Sequence, residues 1–281
     1  VSDRFWVRTA TVAGGLGLFF VLVILLPHLH HLALNVLISA ASILGALELQ
    51  GLLRKRGLPC YRFAPFLAGL LPAVTYLEVA GLSSFTWSVL AGLGPVCVVL
   101  LRSLWFRRRQ DLVSALPAAG SSLLVLLYPA LFLSFLVRLS GLAQPSLALL
   151  FFFSLCFVND TVAYLFGTFL GARTRLNYAV SPNKSVIGFL GGLIGSVAMA
   201  LLFRALLPKL LHVSYGLAAL FGGGIGILTI AGDLVESALK RSAGSKDSGS
   251  MVPGRGGVLD SVDSWLLSAP AFYFVFRMVS G

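Results

Sequence analysis

Residues 233–264 read DLVESALKRSAGSKDSGSMVPGRGGVLDSVDS, the one long polar passage in a chain that is otherwise apolar along its length. The passage holds five of the ten acidic residues and four of the 21 lysines and arginines, so the ionisable chemistry of the molecule is concentrated there. Outside it, hydrocarbon dominates. The 281 residues are 58% hydrophobic and 11% charged, with a mean hydropathy of +0.94, a balance that keeps no domain of this size in water. Apolar runs able to cross a ~30 Å hydrocarbon core, roughly 20 helical residues each, recur throughout. The residue alternation of a spanning barrel is missing, and helices satisfy their own backbone hydrogen bonds in lipid. The expected fold is therefore all-α, a polytopic transmembrane helical bundle of about nine spans.

Those spans are expected near residues 10–26, 32–53, 65–82, 86–106, 118–139, 146–169, 185–207, 214–235 and 264–280. The first lacks a small-residue cleavage site and runs into His28, His30 and His31, so it reads as a retained helix and not a signal peptide. The three histidines read as a polar turn at the membrane interface in preference to an external metal site. Cys60, Cys97 and Cys156 lie far apart without metal-ligand spacing and read as small core side chains. Residues 1–117 form an N-terminal set of transmembrane helices without motifs. Residues 118–281 form a C-terminal transmembrane region that carries the candidate catalytic groups on cytoplasmic polar loops.

Basic residues set the orientation. In the nine-span arrangement Arg4, Arg8, Arg54, Lys55, Arg56, Arg62, Arg102, Arg107 to Arg109, Arg173, Arg175, Lys184, Lys240, Arg241, Lys246 and Arg255 share one side, 17 of 21, against Arg138, Arg204, Lys209 and Arg277. The excess of positive charge on cytoplasmic loops puts the polar passage in the cytoplasm and the C-terminus outside. A net charge of +11 suits anionic lipid headgroups and calls for no nucleic acid.

Helical spacing organises the polar passage. Asp233, Glu236, Ser237 and Lys240 fall at i, i+3, i+4 and i+7, so they share a face at the cytoplasmic end of the eighth span. Asp260 and Asp263 share a face at the start of the ninth. Carboxylates at two helix ends, with lysines and arginines between them, suit magnesium and a polyphosphate. The run Gly254, Arg255, Gly256, Gly257 follows Pro253 outside the spans, where exposed amides could wrap a phosphate. Upstream, Asn159 and Asp160 sit inside the sixth span with Tyr164 one turn on, and the loop that follows carries Arg173, Arg175, Ser181, Pro182 and Lys184. An acidic side chain inside a span marks a polar cavity open to that loop. Glycines at 188, 192 and 195, and at 222, 223, 224 and 226, have the spacing of closely packed helices.

Two segments carry a family resemblance. SALKRSAGSKDSGSMVPGRGGVLDSVDS, residues 237–264, resembles the C-terminal signature of the phosphatidate cytidylyltransferases, with its Ser, Lys-Arg, Lys-Asp, Pro-Gly-His-Gly-Gly and Asp-Arg-x-Asp pattern. NDTVAYLFGTFLG with SPNKSVIGFLGG, residues 159–192, resembles that family's Asn-Asp-Thr-x-Ala-Tyr and Ser-Pro-x-Lys-Thr-x-Glu-Gly motif. The resemblance implies that phosphatidic acid attacks the α-phosphorus of CTP, giving CDP-diacylglycerol and pyrophosphate in phospholipid synthesis, with no covalent intermediate. It assigns magnesium to Asp233, Asp260 and Asp263, with a second cation open. Lys184, Lys240, Arg241 and Lys246 are assigned to the phosphates and catalysis, together with Asp247 of the Lys-Asp pair. Asn159, Asp160, Tyr164, Ser181, Ser237, Arg255, Gly256 and Gly257 are assigned to substrate. A homodimer at the inner membrane, its active site facing the cytoplasm, completes the expectation. The chain departs from the pattern at Ile187 for Glu, Arg255 for His and Ser261 for Arg. A guanidinium can fork onto phosphate oxygens but does not shuttle a proton as imidazole does. A CTP-dependent polyprenol kinase is the rival enzyme, and a lipid or ion transporter using Asp160 and Asp233 the rival from another class.

Overall fold

A computed structural model describes residues 14–15, 17–106, 112–176, 180–182 and 184–279. Arg4, Arg8 and Arg107 to Arg109, which support the orientation, lie outside the described residues. Among the described residues the structure is helical, with only two isolated β-bridges, Arg175 with Ser185 and Val252 with Gly256. The helices are α1 (His28–Lys55), α2 (Ala64–Leu67), α3 (Leu70–Val79), α4 (Phe85–Leu101), α5 (Ala115–Leu139), α6 (Pro145–Phe169), α7 (Val186–Leu206), α8 (Tyr215–Ser242) and α9 (Leu259–Val279). A short π-helix, Val21–Leu25, precedes α1.

Six helical stretches are long and apolar enough to cross a membrane: His28–Lys55, Phe85–Trp105, Ala115–Leu139, Pro145–Phe169, Val186–Leu206 and Tyr215–Ser242. The chain is an all-α membrane protein, and nine is an approximate span count. Of the first expected span, residues 14–15 and 17–25 are helical and 10–13 and 16 lie outside the described residues. The third is broken into α2 and α3, since Gly69 leaves the first piece without a continuing helix former and Pro65 and Pro72 bring no amide to a ladder. The ninth starts five residues earlier than expected, at Leu259, so Asp260 and Asp263 are helical and put two carboxylates in the first turns of α9.

Contacts divide the chain into two compact units, Val1–Gly141 with Leu239–Val262, and Leu142–Ala238 with Asp263–Gly281. In the first unit polar side chains tie the helices. Asn35 Nδ2 donates to Ser140 Oγ at 2.9 Å, Ser42 Oγ to the Ala68 carbonyl at 2.7 Å, and Arg138 forks onto both carboxylate oxygens of Glu78 at 2.9 and 3.1 Å. His31 is fully buried, its Nε2 3.3 Å from the Val23 carbonyl, in a left-handed turn over Leu29–His31.

The second unit is built on glycine and phenylalanine. Along α7, a Cβ at Gly188, Gly191, Gly192 or Gly195 would press on Ala163, Phe166, Asn159 or Val158 and Val162 of α6, so the two backbones approach directly. Phe151 stacks on Phe203 at 4.5 Å between centroids and meets Phe221 and Phe272 edge-on at 5.7 and 5.5 Å. These rings fill the interior that the helices leave.

Candidate active site

In the second unit, Gly232 of α8 has no room for a side chain, because a Cβ there would run into the Asp263 carbonyl. Helices α8 and α9 therefore meet backbone to backbone at the level of Asp233, which sets Asp263 against α8. Asp263 is 9% exposed and Glu236 fully buried. Asp263 lies within electrostatic reach of Asp233, Glu236 and Asp160, four carboxylates in one neighbourhood, and its Oδ1 accepts from the Ser264 amide at 2.6 Å. Ser237 Oγ donates to Asp233 Oδ1 at 3.4 Å, as their spacing on one helix face requires.

The positive charge for this cluster comes from the loop after α6. There the Val186 amide donates to the Thr174 carbonyl at 3.0 Å and the Leu176 amide to the Lys184 carbonyl at 2.9 Å, folding the loop back on itself. Ser185 then caps α7, its Oγ accepting from the Gly188 amide at 3.0 Å. Next to that cap, Lys184 Nζ reaches Asp233 Oδ2 at 2.6 Å. Ser181 enters this turn through its carbonyl, which accepts from the Lys184 amide at 3.3 Å.

Asn159 is fully buried and ties three helices, Nδ2 donating to Ser196 Oγ of α7 at 2.9 Å and to the Gly226 carbonyl of α8 at 3.3 Å. Its Oδ1 has no hydrogen-bond partner among the described residues. Asp160, the next residue, is half-buried, and Tyr164 is exposed.

In the first unit the polar loop between α8 and α9 closes on Asp260. Lys240 Nζ donates to Asp260 Oδ1 at 2.5 Å, with only 12% and 6% of the two side chains exposed. Asp260 Oδ2 accepts from the Gly257 amide at 2.7 Å and from the amide and hydroxyl of Ser248, each at 2.8 Å. Burial pushes the pKa of Asp260 up, but the Lys240 ammonium and these loop donors outweigh it and hold the carboxyl below its ordinary value. Arg241, Lys246 and Asp247 are exposed, and Arg255 is half-buried.

The glycine run departs from expectation. The Arg255 and Gly256 amides both donate to the Val252 carbonyl, at 3.1 and 3.0 Å, and the Gly257 amide is spent on Asp260. Gly256, at φ +113°, makes the sharp return possible. These three amides hold the loop together and are not turned outward to wrap a phosphate, which leaves the Arg255 side chain as the charged group of the run for that task.

One carboxylate of this site lies far along the sequence from both motifs. Glu48, on α1, accepts from the Val258 amide at 2.9 Å on Oε1, and from the Leu259 amide at 2.8 Å and Ser248 Oγ at 3.0 Å on Oε2. The signal for it was a carboxylate inside an apolar span with no lysine or arginine within four residues on either side.

Apolar helices whose polar ends pair lysines with carboxylates make an integral-membrane enzyme that handles charged ligands. A family model described as "Cytidylyltransferase family" matches residues 6–279, and the chain belongs to that family. It is 32% identical over 277 residues to the phosphatidate cytidylyltransferase of Bacillus subtilis (strain 168), covering 98% of this chain and 97% of that protein. It is 39% identical over 161 residues to the phosphatidate cytidylyltransferase of Thermotoga maritima, covering 56% of this chain and 59% of that one. Against the Synechocystis enzyme of the same name the identity is 43% over 122 residues, 43% of this chain and 40% of that one.

Proposed function

We infer that this chain transfers the cytidylyl group of CTP to phosphatidic acid. A phosphate oxygen of the lipid forms a bond to the α-phosphorus of CTP, the bond from the α-phosphorus to the bridging oxygen breaks, and pyrophosphate leaves with that electron pair. The products are pyrophosphate and CDP-diacylglycerol. The observation that carries the reading is the pair of lysine–carboxylate contacts, Lys184 with Asp233 and Lys240 with Asp260: Lys184 lies in one of the two segments that resemble the family's motifs, and Lys240 and Asp260 lie in the other.

Attack of one phosphate on another is slow largely because both are anions, and fixed positive charge relieves the repulsion. Lys184 and Lys240 stand held in position by carboxylates, so phosphate oxygens arriving at those ammonium groups meet donors already oriented. Arg241, Lys246 and Arg255, on or beside the polar loop, draw the polyphosphate in, and Asp247 fixes the loop's charge balance. Asp160, Asn159, Ser181, Ser237 and Tyr164 shape the approach on the second unit. The polar passage faces the cytoplasm, where CTP is found, as the 17-to-4 split of basic residues supports.

For a divalent cation, the donors fit in kind: Asp233, Glu236 and Asp263 offer only carboxylate oxygens, the ligands a hard ion takes. Among the described residues no three acidic, histidine or cysteine side chains stand at coordinating spacing, so the donors are gathered but not drawn into a cage. Asp233 and Asp263 would hold magnesium with Glu236 beside them; in the other unit Asp260 has Oδ1 engaged by Lys240 and Oδ2 by the loop, so it would have to exchange a partner to hold a cation. Held there, magnesium would supply positive charge against the phosphates.

The test is an assay of the purified chain with CTP labelled at the α-phosphorus, phosphatidic acid and magnesium. Label in the lipid fraction with release of pyrophosphate is the expected outcome. Release of CDP with unlabelled lipid phosphate would identify a kinase and overturn the reading.

A further inference from the structure

We propose that Glu48 is a positioning residue of the active site, a buried carboxylate on α1 that sets the polar loop and the first turn of α9 in place; the proposal rests on the cytidylyl-transfer reading for its effect on catalysis. Three donors converge on this one side chain, the amides of Val258 and Leu259 and the Ser248 hydroxyl. The first amides of a helix have no partner within the helix, and an anion at that end also meets the positive pole of the helix dipole. Most helices take such a cap from the residue just before them, whereas α9 takes it from a residue 210 positions away.

The loop is shaped to admit this carboxylate. A Cβ at Gly249 or at Gly257 would collide with the Glu48 carboxylate, so both glycines are required for its approach whatever the loop binds. Ser248 lies between two acids, its Oγ 3.0 Å from Glu48 Oε2 and 2.8 Å from Asp260 Oδ2. A hydroxyl has one proton to donate, so it serves one of them at a time, and the position of Asp260 is coupled to that of Glu48. Glu48 thus acts on Asp260, Lys240 and Arg255 through the loop that carries them.

The side chain does not have to touch CTP for this role, which separates it from the lysines. Glu48→Gln keeps the shape but replaces one acceptor oxygen with a carboxamide NH2 donor facing groups that need an acceptor, leaving at least one buried donor unmatched. In the full-length protein in detergent, hydrogen exchange at the Val258 and Leu259 amides should quicken, and kcat/KM for CTP should fall about tenfold, chiefly through KM, the scale of one hydrogen bond to a charged group. Glu48→Asp, charged but one methylene short, should recover part of both effects, and it carries the test alone if the glutamine variant does not fold. Glu78→Gln, which removes a carboxylate from the Arg138 pair, should leave exchange at 258 and 259 at the parent rate. Parent exchange and parent KM in Glu48→Gln would overturn the proposal. So would a loss of turnover that merely follows the amount of folded protein, with KM unchanged. If the parent makes no CDP-diacylglycerol, the functional reading fails, and the exchange measurement still decides whether Glu48 positions the loop.

Discussion

Asp233 and Asp260 each hold a lysine, yet their surroundings differ, and so should the consequences of losing the charge. Asn in place of either keeps the shape and an acceptor oxygen but removes the negative charge that faces the ammonium. We predict that Asp233→Asn and Asp260→Asn each lower turnover by at least ~10²-fold, the scale of one key electrostatic contact, with Lys55→Gln remaining close to the parent. Thermal melting in detergent should separate the two. Asp233→Asn removes one of the negative charges that crowd Asp263 and should melt near the parent temperature. Asp260→Asn weakens an acceptor of three loop donors and should cost about 1–3 kcal/mol. Near-parent turnover in both variants would place the chemistry elsewhere. The carboxylates and lysines were legible in the sequence because polar residues in a hydrophobic chain stand out. Which lysine serves which carboxylate was not, since the 184–233 and 240–260 pairs depend on how loops fold back. Glu48 was visible as an isolated acid, but its partners are backbone amides, which carry no sequence signature.

At the scale of elements, the contact of α6 with α7 depends on glycines that a regular spacing only partly identifies. Gly192 faces the Asn159 carbonyl and the Ala163 methyl, where a Cβ would stand at 3.0 and 3.1 Å, whereas Gly224 of α8 has nothing within 4 Å of where a Cβ would be. Gly192→Val should push α7 from α6 and destabilise by about 1–3 kcal/mol. Gly224→Ala should stabilise by about 0.5–1 kcal/mol, because alanine loses less backbone entropy in a helix than glycine does. Opposite shifts in the melting temperature of the two variants are the expected result, and shifts of the same sign would mean that the packing was misread. The sequence pattern marked both glycines alike, since spacing gives the face of a helix and not the neighbour that covers it. Gly232, which has no room for a Cβ against the Asp263 carbonyl, lies outside the marked runs for the same reason. Helix ends were also partly hidden. Helix α8 continues to Ser242 and α9 begins at Leu259, because Lys240 and Asp260 are each held by a tertiary partner that hydropathy does not register.

For the whole molecule, membrane residence and helical class followed from composition alone, and most expected spans match helices to within a few residues. The exception between residues 65 and 82 is a broken element, its apolar content right and its continuity interrupted at Gly69. Sidedness is open to direct measurement. A single cysteine at Ser242, on the exposed end of α8, should be shielded from an impermeant thiol reagent in intact cells, and one at Ser214, before α8, should react. The reverse pattern would invert the orientation. The long reach from Glu48 to Val258 also has a consequence for biogenesis. At roughly 5–20 residues per second of synthesis, the ribosome needs about 10–40 s to make the stretch between the acid and its donors, 210 positions in all. Helix α1 enters the bilayer with its carboxylate long before those amides exist. The clasp between α1 and the start of α9 cannot close until residue 259 has been made, so the polar loop is set long after α1 has entered the bilayer.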